Sequence, residues 1–214
     1  MSVPETEGRC HDTCPRSRRD FAVRSALWPS SESEWVRGPK IAVLGSVKSP
    51  RIGAMIRDAI SASVLMPPGP MRLRVAGTDN PEWFHVSGRI TCEVYEAALS
   101  SVGRGLAEFK NVLDFGCGVG RVLRWLRALM PDAHFSGAEI DEAAIAWIRE
   151  NYPDVEMAAI TNNGLPPVRF DDGCFDLIVA YSVFTHLNVK YQDAWLSELR
   201  RLVRPGGLLL LSIS

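Results

Sequence analysis

The 214-residue chain has no long apolar run, no strongly basic segment and few cysteines. No apolar stretch approaches the roughly 20 residues that a membrane-spanning helix needs, so no membrane span is expected. The formal net charge is −1, and no run rich in Lys and Arg offers a phosphate-binding surface, which argues against a nucleic-acid partner. Residues 1–20 lack the apolar centre of a secretory signal, and we therefore expect a cytoplasmic protein.

The five cysteines are an odd number and lie far apart along the sequence. This pattern fits a reducing compartment better than a disulfide framework. Cys10, His11 and Cys14 have the spacing of half a metal site. No second Cys/His pair follows nearby to complete four ligands, so no metal is expected and the two thiols are interpreted as free groups on a tail.

The sequence divides into three segments. Residues 1–40 are rich in Ser, Pro, Arg and Glu without periodicity, and we expect an irregular or disordered tail. Residues 41–110 are predicted to form a mainly helical lead-in and cap, and residues 111–214 an α/β domain. Within the lead-in, the apolar spacing predicts a β-like run at 40–47, helices at 51–63 and 91–106, and a proline-rich break at 66–70.

From residue 111 onward, short apolar strands alternate regularly with amphipathic helices. This alternation, with strands that are nearly all apolar, predicts a parallel sheet covered by helices on both faces. The last predicted helix is expected to end at Pro205-Gly206-Gly207. The predicted strands are 111–115, 134–139, 155–160, 175–181 and 208–214, and the predicted helices are 119–130, 142–151 and 191–203.

A glycine turn follows the first of these strands. Gly116, Gly118 and Gly120 come after Asp114 and lead into a helix; such a turn lets the backbone approach a ligand, and the helix start attracts an anionic group. The spacing differs from the Gly-x-Gly-x-x-Gly of dinucleotide-binding folds, and a plain tight turn would also explain it. Glu139 ends the second strand, where an acid in doubly wound folds accepts hydrogen bonds from ribose hydroxyls. Together the two features favour a ribose role over a surface acid.

This part of the chain resembles the class I S-adenosylmethionine-dependent methyltransferases. The resemblance implies a Rossmann-like, doubly wound, mostly parallel sheet with helices on both faces, S-adenosylmethionine as cofactor, and methyl transfer to an acceptor. Residues 182–187 and 77–84 suggest the branch that acts on small molecules. Four segments carry the resemblance in order: 112–121 (VLDFGCGVGR), 137–141 (GAEID), 170–178 (FDDGCFDLI) and 199–208 (LRRLVRPGGL).

The resemblance also implies cofactor contacts around the first two strands. Asp114 would order the glycine turn and reach the ammonium group of the cofactor. Glu139 would bind the ribose, and Ile140 would pack on the adenine. The backbone groups expected to donate to the amino-acid moiety are those of Gly116, Cys117, Gly118 and Gly120.

Further contacts are implied near the third and fourth strands. Asn162 and Asn163 stand where relatives carry an acid that caps the adenine amino group, and an amide carbonyl can accept the same hydrogen bond. Tyr181 and Ser182 would face the methyl donor and the acceptor. If the acceptor is a hydroxyl or a protonated amine, a base is needed, and His186 is the candidate. For His186, packing beside the following helix is the competing interpretation.

The family's sheet normally continues past the fifth strand, so the resemblance implies that the usual last two strands are lacking. Residues 208–214 would then form an apolar edge strand, which proteins usually cover. Truncation is the favoured explanation; completion by a homodimer or other partner chain and coverage by residues 40–65 remain open. The missing strands also keep open an alternative function, a non-catalytic S-adenosylmethionine- or S-adenosylhomocysteine-binding or regulatory protein.

Overall fold

The computed structural model describes residues 65–212 and the backbone of 40–44. The predicted helix at 51–63 and the residues Cys10, His11 and Cys14 lie outside the described residues. The strands are β1 (Lys40–Leu44), β2 (Asn111–Phe115), β3 (His134–Glu139), β4 (Glu156–Ala159), β5 (Phe175–Ala180) and β6 (Val203–Ser212). The helices are α1 (Gly69–Ala76), α2 (Pro81–Ser101), α3 (Leu123–Leu129), α4 (Glu142–Asn151) and α5 (Val189–Leu202), with short 3₁₀ turns at Leu106–Glu108 and Phe184–His186.

The described strands form one parallel sheet in the order β1-β6-β5-β2-β3-β4. From the central strand β2 the chain winds outward through β3 and β4, then returns to the other side through β5 and β6. Neighbouring residues of β2 point to opposite faces, so Val112 packs with α2, α3 and α4 while Leu113 packs with α5. The predicted doubly wound α/β fold with helices on both faces is confirmed.

Strand β6 is covered on its outer side by β1. The two strands pair in parallel from Lys40↔Leu208 to Leu44↔Ser212. The apolar run at 208–212 is therefore an inner strand of the sheet. Of the three explanations considered for this strand, coverage by the 40–65 region is the one that the structure shows, through residues 40–44. Pairing satisfies backbone groups that would otherwise form an exposed edge.

Two boundaries in the lead-in differ from the prediction. The proline-rich segment at 66–70 was expected to interrupt helical structure, but α1 starts at Gly69 with Pro70 in its first turn. In the first turn of a helix the missing N–H of proline costs no helical hydrogen bond. Helix α2 begins ten residues before the predicted start at 91, because the Asn80 side chain accepts from the Trp83 N–H at 2.7 Å and Pro81 occupies the first turn.

None of the helices among residues 65–212 has the length and apolar content of a membrane span.

The Pro205-Gly206-Gly207 triplet lies inside β6 and does not end the preceding helix. Helix α5 stops at Leu202 and the strand starts at the next residue. The pairing of β6 with β5 changes register between Phe175 and Leu177, which marks a bulge at this point. The chain therefore passes directly from helix to strand, and the triplet shapes the bulge.

Asp176, at the start of β5, connects three parts of the sheet. Its side chain is 1% exposed, and its two oxygens accept from the backbone N–H groups of Lys110 at 2.8 Å and Asn111 at 2.9 Å. Arg204 of β6 lies 3.4 Å from the same carboxylate. Asp176 thus fixes the start of β2 beside β5. It lies at the amino ends of these strands, far from their carboxyl ends.

Candidate functional site

The glycine turn joins β2 to α3 at the carboxyl end of the sheet. Gly116, Gly118 and Gly120 have φ values of +73°, +53° and +80°, and these left-handed conformations strongly favour glycine. A side chain at Gly116 would also collide with Val183, in the segment after β5. The turn therefore allows β2 and the post-β5 segment to approach each other closely.

Three of the predicted backbone donors have partners within the protein. The N–H of Gly116 donates to the carbonyl of Ala138 at 2.8 Å, and that of Gly120 donates to the carbonyl of Cys117 at 3.0 Å. The N–H of Gly118 donates to Oε2 of Glu139 at 2.7 Å. The first and third of these bonds hold the turn against β3 and the second closes the turn on itself, and donation from the turn to a cofactor stays a prediction.

Glu139 connects the glycine turn with the start of α4. Besides the Gly118 N–H, its carboxylate accepts from the N–H groups of Ile140 at 2.8 Å and Asp141 at 3.0 Å. The side chain is 8% exposed. An ionised carboxylate offers about four acceptor positions, so capacity remains for a ligand hydroxyl. The next side chain, Ile140, is 59% exposed and presents apolar surface beside this carboxylate.

Asp114 lies buried below the glycine turn. Its side chain is 3% exposed, and its Oδ2 has no hydrogen-bond partner among the described residues. Burial raises the pKa of this carboxyl to about 7; Arg121 opposes the increase and Glu139 adds to it. An unpartnered buried carboxylate oxygen is costly unless a cation or donor reaches it, so this position is suited to a cationic ligand group.

Cys117, between two of the turn glycines, is a buried thiol. Burial raises its pKa well above the ordinary value, and the nearby carboxyls of Asp114 and Glu139 act in the same direction. A thiol that stays protonated is a poor nucleophile. The chemistry of this buried thiol therefore gives no support to a covalent role.

A cleft of about 410 Å³ runs along the carboxyl ends of the strands. It brings together six of the residues that the sequence predicted for the site: Gly116, Glu139, Ile140, Asn163, Ser182 and His186. The remaining lining is mainly apolar and comes from Phe115, Ile160, Gly164, Val183, Leu187, Tyr191 and Trp195.

Several predicted residues do not line this cleft. Asn162 turns its amide away and donates to the carbonyl of Pro166 at 3.2 Å. Tyr181 lies under the Arg121 guanidinium, whose carbon is 4.9 Å from the ring centroid, and Arg121 also donates to the Thr91 hydroxyl at 3.1 Å. Tyr181 therefore braces the glycine turn against the end of β5. Asp114 and Cys117 are buried, and a side chain at Gly118 or Gly120 would point toward α1 or α4.

A second cavity, of about 420 Å³, lies at the opposite end of the sheet, near the amino ends of the strands. Its walls include His134, Glu156, Arg169 and Cys174. None of the predicted site residues is among its lining residues. In doubly wound sheets, ligands bind outside the carboxyl ends of the strands, and we therefore place the functional site in the first cleft.

Among the seven cleft residues that were not predicted from the sequence, two have side chains that donate hydrogen bonds to the cleft wall. The Tyr191 hydroxyl donates to the carbonyl of Asn163 at 3.3 Å, and the Trp195 Nε1–H donates to the carbonyl of Gly164 at 2.9 Å. In the sequence, Tyr191 and Trp195 are recognisable only as residues on the apolar face of the predicted helix at 191–203. The hydroxyl of Tyr191 and the indole N–H of Trp195 were the signal that could have identified them, because Tyr and Trp in a protein interior usually donate to a hydrogen-bond acceptor.

Helix α1 covers the outer side of the glycine turn. Its residue Arg74 lies 3.0 Å from the Asp141 carboxylate at the start of α4. Val75 faces Gly118 so closely that an added Cβ would lie 2.8 Å from Val75 Cγ2. The contact makes α1 a direct neighbour of the turn.

We expect Gly118→Val to destabilise the protein by displacing α1, in addition to any effect on ligand binding. Gly103→Val is the matched control, because Gly103 has φ +72° and an added Cβ meets nothing within 4 Å. Urea unfolding should show a loss at Gly118 that exceeds the loss at Gly103 by about 1–3 kcal/mol. Equal losses would contradict the contact with Val75.

Comparison with known proteins gives a consistent result. Residues 112–207 match the model of a family described as a methyltransferase domain. A probable S-adenosylmethionine-dependent methyltransferase of Mycolicibacterium smegmatis is 33% identical over 105 residues, which cover 48% of this chain and 37% of that protein. The phthiotriol/phenolphthiotriol dimycocerosates methyltransferase of Mycobacterium tuberculosis is 26% identical over 140 residues, 64% of this chain and 47% of that protein.

Among solved structures, a TehB-like SAM-dependent methyltransferase from Corynebacterium glutamicum is similar with a TM-score of 0.42 and 19% identity. The match covers 58% of this chain and 71% of that chain. The chain described here spans about half, or less, of the length of the curated relatives that it matches.

Proposed function

We propose that this protein transfers a methyl group from S-adenosylmethionine to a small-molecule acceptor, since residues 112–207 match the model of a methyltransferase domain and a probable S-adenosylmethionine-dependent methyltransferase is 33% identical over 105 residues. The observation that carries the proposal is the unpartnered Oδ2 of Asp114, which is buried below the glycine turn, together with the Glu139 carboxylate, which lines the cleft. One acid is suited to the ammonium group of the cofactor and the other to its ribose. The cleft volume of about 410 Å³ is in the range of small-molecule sites.

The residues present fit the cofactor in three separate places. Asp114 would hold the ammonium group, Glu139 would accept from the ribose hydroxyls, and Ile140 would cover the adenine. When bound, S-adenosylmethionine supplies an electrophilic sulfonium methyl group, and its transfer disperses positive charge. Such a displacement needs alignment and exclusion of water more than a protein nucleophile. The largely apolar cleft walls and the glycine turn would provide both.

His186 is the proposed base on the acceptor side of the cleft. It ends the short turn Phe184–His186, and the backbone of this turn is held by the His186 N–H, which donates to the Val183 carbonyl at 3.0 Å. In this role His186 would take a proton from an acceptor hydroxyl or ammonium group. Ser182 and His186 both line the cleft, and we propose that they mark the acceptor end.

Calorimetric titration with S-adenosylhomocysteine, with NAD as the control ligand, tests the proposal. We expect selective binding by the wild-type chain and at least about 10-fold weaker binding by Glu139→Ala, because a carboxylate that accepts ligand hydrogen bonds is lost. Glu142→Ala is the matched control, since Glu142 is an exposed acid at the start of α4, three residues after Glu139. A folded wild-type sample that does not bind, or equal affinity in Glu139→Ala, would refute the assignment.

The domain limits near residues 40 and 110, the cytoplasmic location and the lack of a nucleic-acid partner remain predictions from the sequence. A homodimer or other partner chain is not needed to cover β6, because β1 pairs with that edge. The proposed acceptor is a small molecule.

A further inference from the structure

Two buried polar atoms on the α2 side of the sheet have no hydrogen-bond partner in the part of the chain that the structure describes. One is Oδ2 of Asp114, and the other is the hydroxyl oxygen of Tyr95 in α2. Tyr95 is 0% exposed and Asp114 is 3% exposed, so bulk water reaches neither group. A buried hydroxyl and a buried carboxylate oxygen each cost free energy when they are unpaired, and proteins rarely leave such groups without a partner.

Tyr95 and Asp114 belong to the same side of the sheet. Val112, two residues before Asp114 in β2, packs in the same core cluster as Tyr95, and alternate residues of a strand point to the same face. Arg121 donates to the hydroxyl of Thr91 at 3.1 Å, one helical turn before Tyr95, which ties this part of α2 to the end of the glycine turn. Burial raises the pKa of Tyr95, and the Asp114 carboxylate acts in the same direction. The hydroxyl therefore lies within electrostatic reach of the carboxylate.

Asp114 has neighbours of both charge signs. Burial raises its pKa to about 7, Arg121 opposes the increase and Glu139 adds to it. The backbone N–H of Leu123 favours the ionised form. The other titratable groups that face Asp114 or Tyr95 are Cys92 in α2, Cys117 in the glycine turn and Tyr181 after β5. Burial raises the pKa of both thiols well above its ordinary value, so neither thiol titrates near pH 7.

A neutral donor suits this acid better than a further cation. Donation to the ionised form lowers the pKa of a carboxyl group, and a hydroxyl does this without a positive charge that would repel a cationic ligand. An ionised carboxylate oxygen has two lone pairs, so Oδ2 can accept from a protein donor and from a ligand at the same time. The Tyr95 hydroxyl is a donor of this kind that is not engaged elsewhere in the described residues.

We propose that Tyr95 is a positioning residue for Asp114, and that its hydroxyl donates through a bridging water molecule to Oδ2 and holds the carboxylate ionised toward a cationic ligand group. The inference rests on the proposed function, because it takes this group to be the ammonium of S-adenosylmethionine. A buried water that links two otherwise unpaired polar groups is common in proteins, and its hydrogen bonds are nearly as favourable as direct ones.

An NMR titration of the ligand-free full chain gives the first test. With ¹³C-labelled aspartate, the Asp114 carboxyl resonance is identified by its loss in Asp114→Asn. Tyr95→Phe keeps the ring and removes the donor, so the midpoint of this resonance should increase by about one pH unit. Tyr152→Phe is the matched control, because Tyr152 is also a buried tyrosine of the same core cluster, and it should leave the midpoint unchanged. Thermal unfolding shows whether each variant is folded.

A second resonance decides the question even if Tyr95→Phe fails to fold. Burial raises the pKa of Tyr95 well above its ordinary value, so its hydroxyl does not ionise near pH 7. In wild-type protein labelled at the tyrosine Cζ carbons, one of the four tyrosine resonances should still shift with the midpoint of Asp114, because the ionised acid polarises the hydroxyl. The shift should be absent in Asp114→Asn and should persist in Tyr181→Phe, which replaces the tyrosine beside Arg121.

Calorimetry with S-adenosylhomocysteine measures the consequence for ligand binding. If the midpoint moves from about 7 to about 8, Tyr95→Phe should bind about fivefold more weakly at about pH 7, as its ionised fraction falls. At about pH 9 its affinity should be within about threefold of the wild type, since Asp114 is ionised in both proteins. A purely structural defect would weaken binding equally at both pH values.

The outcomes distinguish this inference from the proposed function. If the wild type binds S-adenosylhomocysteine but Tyr95→Phe leaves the Asp114 midpoint or the pH dependence of binding unchanged, the role of Tyr95 is overturned and the proposed function stands. The same holds if no tyrosine Cζ resonance follows Asp114. If the folded wild type does not bind, both are overturned. Equal upward shifts of the carboxyl midpoint and of the binding profile in Tyr95→Phe support both.

Discussion

Asp114→Asn is expected to weaken the binding of S-adenosylhomocysteine about 100-fold at about pH 8, because a buried charge that pairs with the ligand ammonium is lost. The pKa of Asp114, about 7, also predicts a pH dependence. Below this value the carboxyl is protonated and neutral, and above it the carboxylate attracts the ammonium. Wild-type affinity should therefore increase from about pH 6 to about pH 8 by roughly tenfold, as the ionised fraction grows. Calorimetry across this range measures both effects.

The same substitution should have the opposite effect on stability. The folded-state pKa of Asp114 is raised from 3.8 to about 7, so the folded protein holds this proton more tightly than the unfolded chain. The cost of ionising the buried acid grows as the pH rises from about 4 to about 7 and is fully present above that. Asp114→Asn should thus be more stable than the wild type at about pH 8, by up to a few kcal/mol, and similar to it at about pH 4.

Urea unfolding at the two pH values tests this relation, with Asp132→Asn as a control at an exposed acid. A variant that loses ligand affinity but gains stability at about pH 8 indicates a binding role for Asp114. Loss of both affinity and stability would instead assign Asp114 a purely structural role and would remove the main support for the proposed function.

Asp176→Ala is expected to lower the free energy of unfolding by about 3–5 kcal/mol. The substitution removes a buried carboxylate that accepts from the N–H groups of Lys110 and Asn111 and lies beside Arg204. It leaves these donors at the start of β2 without an acceptor. Asp176→Asn should lose less, because the amide keeps one acceptor oxygen. Urea denaturation measures the change.

The control for this prediction is Asp172→Ala in the same sequence segment. Asp172 is 80% exposed and pairs with Arg201 at 2.6 Å, and an exposed ion pair contributes at most about 1 kcal/mol. If the two substitutions have equal effects, Asp176 does not fix β2 in the way that its hydrogen bonds indicate. The comparison also tests whether the acid of the 170–178 segment is structural, since neither variant touches the cleft.

Features encoded by neighbouring residues could be predicted from the sequence. The bounds of β2, β3 and α4 agree with the predicted 111–115, 134–139 and 142–151. For α4 the reason is local: the Asp141 side chain accepts from the Ala143 N–H at 2.9 Å and caps the helix. The sequence likewise predicted the fold class and the meeting of several strand-end residues in one cleft, because parallel strands bring their carboxyl ends to one end of the sheet.

Features that depend on residues distant in the sequence were decided by the tertiary structure. Coverage of β6 by β1 joins residues 40–44 to 208–212; the cleft positions of Tyr191 and Trp195 depend on carbonyls about thirty residues earlier. The side chain of Asp114 was predicted to bind, but only burial by surrounding elements raises its pKa and leaves Oδ2 without a partner. Local sequence sets the period and ends of elements, whereas burial and long-range hydrogen bonds arise only when separate elements pack together.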